Sequence, residues 1–79
     1  MSERKGNFVY TRPGCGGCTL VMNWMNENNV DYETINIMED GDAMARIQDA
    51  GYMSLPVVEK DGDFVLNEYN PELLSDLFL

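Results

Sequence analysis

The sequence predicts one α/β domain with the element order β-α-β-α-β-β-α, a four-stranded mixed sheet flanked by three helices. Three observations carry this. Short runs rich in β-branched and aromatic residues alternate with stretches whose apolar residues recur at helical spacing. An Asp61-Gly62 pair between two such runs marks a hairpin. The 79 residues suffice for one domain and not for two, so residues 1–79 are read as a single unit with a loose end at 1–6.

The first strand is expected over residues 7–11, where Phe8, Val9 and Tyr10 give the continuous apolar character of a strand buried on both faces. It should sit centrally. Pro13 then biases Arg12 toward extended backbone, and Gly14 permits a tight turn into a helix that starts at about Cys15. Leu20, Val21, Trp24 and Met25 form its apolar face, with Trp24 read as core packing, and Asn28-Asn29 is its stop. A second strand is expected over residues 30–37, which makes a right-handed βαβ crossover.

The Glu39-Asp40-Gly41-Asp42 cluster suits a helix N-terminus, so a second helix follows over residues 43–50, with Met44 and Ile47 on one side and Gly51 as its end. This cluster lacks the spaced ligands and closing glutamate of an EF-hand, so capping is preferred to calcium binding. Pro56 can open a strand but not lie in its middle, which starts the third strand at Val57 and carries it to Lys60. Residues 64–66 return antiparallel. Asn70 as cap, Pro71 in the first turn and Glu72 beside the dipole begin a last helix with Leu73, Leu74, Leu77 and Phe78 apolar.

The chemistry-bearing residues are Cys15 and Cys18, the chain's only cysteines. Three apart on the first turn of a helix, they face one side, close enough for a disulfide or a shared metal. A thiol at a helix N-terminus meets unpaired backbone N–H groups and the positive end of the dipole, which favour thiolate; Cys15 is thus the attacking sulfur. A purely structural bridge is disfavoured, because closing so short a ring removes only roughly 2 kcal/mol of unfolded-chain entropy. A CxxC pair beside a βαβ pattern reads as redox-active, of the thioredoxin-like kind. The competing class is a zinc or iron–sulfur module in which two chains each lend two thiolates.

Charge and composition exclude other classes. Fourteen acidic residues against five basic ones give a formal charge of -9, which opposes nucleic-acid binding and would suit a partner with a basic docking surface. No histidine is present, so imidazole catalysis, imidazole haem ligation and mixed Cys/His zinc sites are excluded. No apolar stretch reaches signal-peptide or membrane-spanning length. A cytoplasmic monomer is expected, without membrane attachment, and in that reducing compartment a transient, catalytic dithiol fits better than a permanent disulfide.

Tyr10-Thr-Arg-Pro-Gly-Cys-Gly-Gly-Cys18 followed by Ser54-Leu-Pro-Val-Val58, within this element order, resembles the glutaredoxins, small members of the thioredoxin-fold superfamily. The similarity spans about residues 7–78. The resemblance implies a thiol–disulfide oxidoreductase in which Cys15 is the nucleophile and Cys18 resolves the mixed disulfide, with no bound cofactor. It implies a cis Pro56 packed beside the cysteines, a Leu55 backbone that pairs with an incoming peptide or glutathione, and an Arg12 that favours the thiolate and attracts a substrate carboxylate. Gly16 and Gly17 stand where the family has Pro-Tyr, leaving the substrate-facing turn without side chains. Near the last helix the glutathione-holding Gly-Gly pair is missing, and Pro71 takes the place of its acid. The Asn67-Glu68-Tyr69-Asn70-Pro71 stretch, with Tyr69 as its aromatic contact, is closer to redoxins that thioredoxin reductase reduces with NADPH and that supply ribonucleotide reductase. Expected partners are therefore a disulfide-containing protein and either glutathione or thioredoxin reductase.

Overall fold

The apolar run Asn7–Thr11 forms strand β1, and its alternating side chains feed two separate cores: Val9 enters one face of the sheet and Tyr10 the other. A computed structural model describes residues 6–79 of the chain. Residues 1–5, most of the loose end expected at 1–6, lie outside the described residues. Gly6 is held, donating its N–H to the Asp61 carboxylate and accepting from the Asp61 N–H.

The other elements follow in the expected order: α1 (Gly16–Glu27), β2 (Glu33–Asn36), α2 (Gly41–Asp49), β3 (Val57–Lys60), β4 (Asp63–Leu66) and α3 (Pro71–Phe78). The sheet order is β2-β1-β3-β4, with β2 parallel to β1 and both remaining pairings antiparallel. This is the four-stranded mixed sheet with three helices that the sequence predicts, in the thioredoxin fold. Asp61 and Gly62 both take positive φ, 51° and 96°, as a two-residue hairpin turn with two left-handed positions requires.

Helices α1 and α3 pack on one face, where Val21, Trp24, Met25 and Leu74 meet Val9, Val58 and Leu66. Helix α2 covers the other, setting Ala43 and Ile47 against Tyr10 and Val57. Both α1 and α2 end in the same double bond pattern. Val30 N–H reaches the Met25 carbonyl and Asn29 the Asn26 carbonyl; Tyr52 reaches Ile47 and Gly51 reaches Gln48.

Three expectations change. The second strand begins at Glu33, not at residue 30, because Val30 is used in closing α1 and the Asp31 carbonyl accepts from the Asn7 side chain. Leu20 lies on the outer side of α1, 49% exposed, while Cys18 takes its place in the buried stripe with Val21 and Met25. Leu73 is likewise exposed on α3, where Leu74 alone is fully buried. Among the described residues, no helix is long and apolar enough to cross a membrane.

Candidate active site

The turn from β1 into α1 places the two sulfurs. The Cys15 N–H donates to the Arg12 carbonyl at 3.3 Å, and Cys15, with extended backbone, caps the helix that begins at Gly16. Its Sγ accepts from the Cys18 N–H at 3.2 Å, so this sulfur meets one of the unpaired donors at the helix start. The two sulfurs are bonded, with Cα atoms 5.3 Å apart. Cys15 is partly exposed and Cys18 is 0% exposed, its Sγ lying 3.7 Å from the Tyr10 carbonyl oxygen. One sulfur is reachable from outside and the other is not.

Pro56 is cis and buried, and it presses against the first turn of α1. A Cβ at Gly17 would come 2.9 Å from Pro56 Cδ, closer than packed carbons stand, whereas a Cβ at Gly16 would meet nothing within 4 Å. Gly17 is thus where the helix and the proline loop approach most closely. Gly16 faces open space. Leu55 is half-buried beside Pro56, its carbonyl oxygen 4.0 Å from that same Cβ position, and Arg12 is exposed on the turn before Cys15. The structure therefore gathers Cys15, Cys18, Gly17, Leu55 and Pro56 at one place, with Arg12 and Gly16 at its rim.

Tyr69 is 38% exposed between β4 and α3, and its segment joins this group through Asn67. The Asn67 amide donates to the Ser54 carbonyl at 2.9 Å and the Pro56 carbonyl at 2.8 Å, clamping the proline loop from the far side. Asn70 caps α3 through the N–H groups of Glu72 and Leu73, so the segment is fixed at both ends. Sequence reading singled out the segment but not the clamp, because an asparagine after a strand signals only a turn.

A second group went unread. Glu59 of β3 is fully buried, accepting from the Tyr10 hydroxyl and from Arg46 of α2, while its Oε2 has no partner among the described residues. Arg46 also donates to the Tyr10 hydroxyl at 2.5 Å and lies over the Phe64 ring, 5.1 Å from its centroid. Burial works to lower the Arg46 pKa, but Tyr10 and Glu59 together outweigh it, and the guanidinium titrates above its ordinary range. The available signal was an acid inside Val57-Val58-Glu59, a run expected to lie within the sheet, where a carboxylate needs a partner. Tyr10 thus carries this group on its side chain while its carbonyl oxygen lies beside Cys18 Sγ.

Comparison with known proteins gives a consistent picture. The glutaredoxin family model matches residues 7–65. The glutaredoxin-like protein NrdH of Lactococcus lactis subsp. lactis is 30% identical over 69 residues, covering 87% of this chain and 94% of that protein. Among solved structures, the glutaredoxin-like NrdH-redoxin of Escherichia coli, described as having a thioredoxin-like activity profile, superposes with a TM-score of 0.84 at 27% identity, covering 92% of this chain and 95% of the other. A glutaredoxin from Archaeoglobus fulgidus gives 0.73 at 26% identity, covering 92% and 85%.

Proposed function

The chain belongs to the glutaredoxin family, the thiol–disulfide oxidoreductase type with a CxxC motif, and from that premise we propose that it is a small electron carrier reducing protein disulfides through Cys15 and Cys18. The observation that carries this reading is the unequal burial of two bonded sulfurs at one helix N-terminus, Cys15 reachable and Cys18 not. In the reduced state, Cys15 thiolate attacks a substrate disulfide in line; one substrate sulfur becomes bonded to Cys15 and the other leaves as thiolate. Cys18 gives up its proton and attacks Cys15 Sγ, expelling the second substrate sulfur and closing the Cys15–Cys18 disulfide. Two electrons from an upstream reductant reopen it.

Leu55 supplies the backbone edge for the incoming chain, Pro56 and Gly17 hold that edge against the sulfurs, and Arg12 and the helix start favour the thiolate. For the upstream reductant we infer thioredoxin reductase, drawing on NADPH, in preference to glutathione. The segment that would hold glutathione has its Asn67 side chain bonded to the proline loop, and Glu68 within it and Glu72 at the start of α3 repel a tripeptide of net negative charge. The disulfide of ribonucleotide reductase is the inferred protein substrate, and the cytoplasm the inferred compartment.

NADPH consumption tests this with a protein disulfide as acceptor and two regenerating systems, thioredoxin reductase and glutathione with glutathione reductase. Turnover with the first and only background with the second is expected. Turnover through glutathione alone would overturn the choice of reductant. A chain purified as a metal-loaded dimer, inert in both systems, would overturn the redox reading in favour of a thiolate metal site.

A further inference from the structure

The cycle above makes no use of the buried group formed by Tyr10, Glu59 and Arg46. Glu59 is the one charged residue that is fully buried among the described residues. A carboxylate in a sheet interior is costly, and an apolar pair of the same shape would hold α2 on the sheet without that cost. What charge adds here is direction. The Glu59 carboxylate accepts from the Tyr10 hydroxyl and Arg46 donates to it at 2.5 Å, so both partners converge on one oxygen atom. Phe64 packs edge-on against the Tyr10 ring, with centroids 5.6 Å apart.

Tyr10 stands where β1 leaves the sheet. Its pairing with Val57 is the last of the β1–β3 register, and the turn toward Cys15 follows directly after the strand. A strand end has fewer ladder bonds to fix it, so a side-chain anchor counts for more there. The Tyr10 carbonyl oxygen lies 3.7 Å from Cys18 Sγ, in the range of a hydrogen bond to sulfur. That distance holds while Sγ is bonded to Cys15. In the mixed disulfide, where Cys18 is again a thiol, an S–H donated to this carbonyl keeps Sγ where it stands in the product, next to Cys15.

Resting on the redox reading above, we propose that Glu59 and Arg46 are positioning residues for the resolving cysteine: by fixing the Tyr10 hydroxyl they fix the Tyr10 carbonyl, which holds Cys18 Sγ ready to close the disulfide. In that closure Cys18 Sγ bonds to Cys15 Sγ, and the bond between Cys15 and the substrate sulfur breaks with its electron pair on the substrate side. The leaving sulfur takes up the proton that Cys18 gives. Freeing Cys18 to other rotamers lowers the effective concentration of its sulfur at Cys15. The first exchange, made by Cys15 at the helix start, does not draw on this contact, so the two steps should separate.

The test follows the two exchanges in the reduced full chain with the symmetric disulfide of thionitrobenzoate, in enough excess that the first outruns the second. Each half leaves as a coloured thiolate, the first released by Cys15 and the second by Cys18. Tyr10→Phe removes the shared hydroxyl and keeps the ring; Arg46→Met removes the donor from a side chain that is 39% exposed. In both, the second release should slow about tenfold while the first stays within about twofold, and a smaller fraction should be oxidised in a fixed glutathione buffer. Ile47→Val, which thins the same face of α2 without touching the hydroxyl, should leave both releases within about twofold. An unchanged second release in Arg46→Met would overturn the proposal, even if Tyr10→Phe failed to fold. Equal slowing of both releases, or the same slowing in Ile47→Val, would reduce the group to a structural tie and overturn it as well. If the unaltered chain released no thiolate or only one, the redox reading would fall and this proposal with it.

Discussion

Gly16 and Gly17 are neighbours in the chain, yet only one has room for a side chain. A methyl at Gly17 would come 2.9 Å from Pro56 Cδ, in a rigid ring, so Gly17→Ala should cost about 1–3 kcal/mol and slow substrate reduction by pushing the proline loop off the helix. Gly16→Ala meets no neighbour and should be neutral or stabilising by roughly 0.5 kcal/mol. Urea unfolding of the oxidised proteins measures both; equal effects would show that the approach to Pro56 exerts no constraint. The roles suggested for Cys15 and Cys18 were legible because three-residue spacing at a helix start is local information. The contrast between the glycines was not, since it arises from contact with a residue almost forty positions away in sequence.

Among the elements, the strands and helices with strong local signals came out nearly residue for residue: β1 and β3 by their apolar runs, the hairpin by Asp61-Gly62, and α3 by Asn70 and Pro71. The second strand was read too long because Val30 and Tyr32 suit a strand by type, while the C-terminal bonding of α1 claims the backbone of Val30. What sequence could not supply is the tie among α2, β1 and β3 made by Arg46, Tyr10 and Glu59, residues brought together only by the register Tyr10↔Val57 and the packing of α2. Removing Arg46 leaves a buried carboxylate with the Tyr10 hydroxyl as its one partner among the described residues. Since the Arg46 side chain is 39% exposed, Arg46→Ala should cost about 1–3 kcal/mol, below the full penalty for a dry pair. In a Glu59→Gln background the same change should cost clearly less. A double-mutant cycle by chemical denaturation tests this, and additive losses would contradict a coupled group. The raised Arg46 pKa means that the cation's contribution is present throughout the neutral range and is lost only as pH rises past that value.

At the scale of the whole molecule, the sheet separates two jobs: α1 and α3 pack on the face that buries Cys18, and α2 covers the other face, where Arg46 meets Tyr10 and Glu59. The chain as a whole carries a formal charge of -9. If a basic partner docks on it, kcat/KM with the protein partner should fall severalfold from about 20 to about 200 mM salt while reduction of a small neutral disulfide stays level. A salt-independent rate with the protein partner would contradict steering. The fold was legible because its elements follow from local patterns, whereas the partner was legible only by family resemblance, since charge and periodicity do not encode which disulfide fits. The two sulfurs divide the labour in the proposed cycle, and trapping the mixed disulfide measures that division. Reduced Cys18→Ser protein is mixed with a disulfide substrate and analysed by mass spectrometry. A one-to-one adduct attached at Cys15 is expected, with no such adduct from Cys15→Ser and turnover without accumulation in the unaltered chain. Adduct formation by Cys15→Ser through Cys18, or retained turnover in that variant, would contradict it.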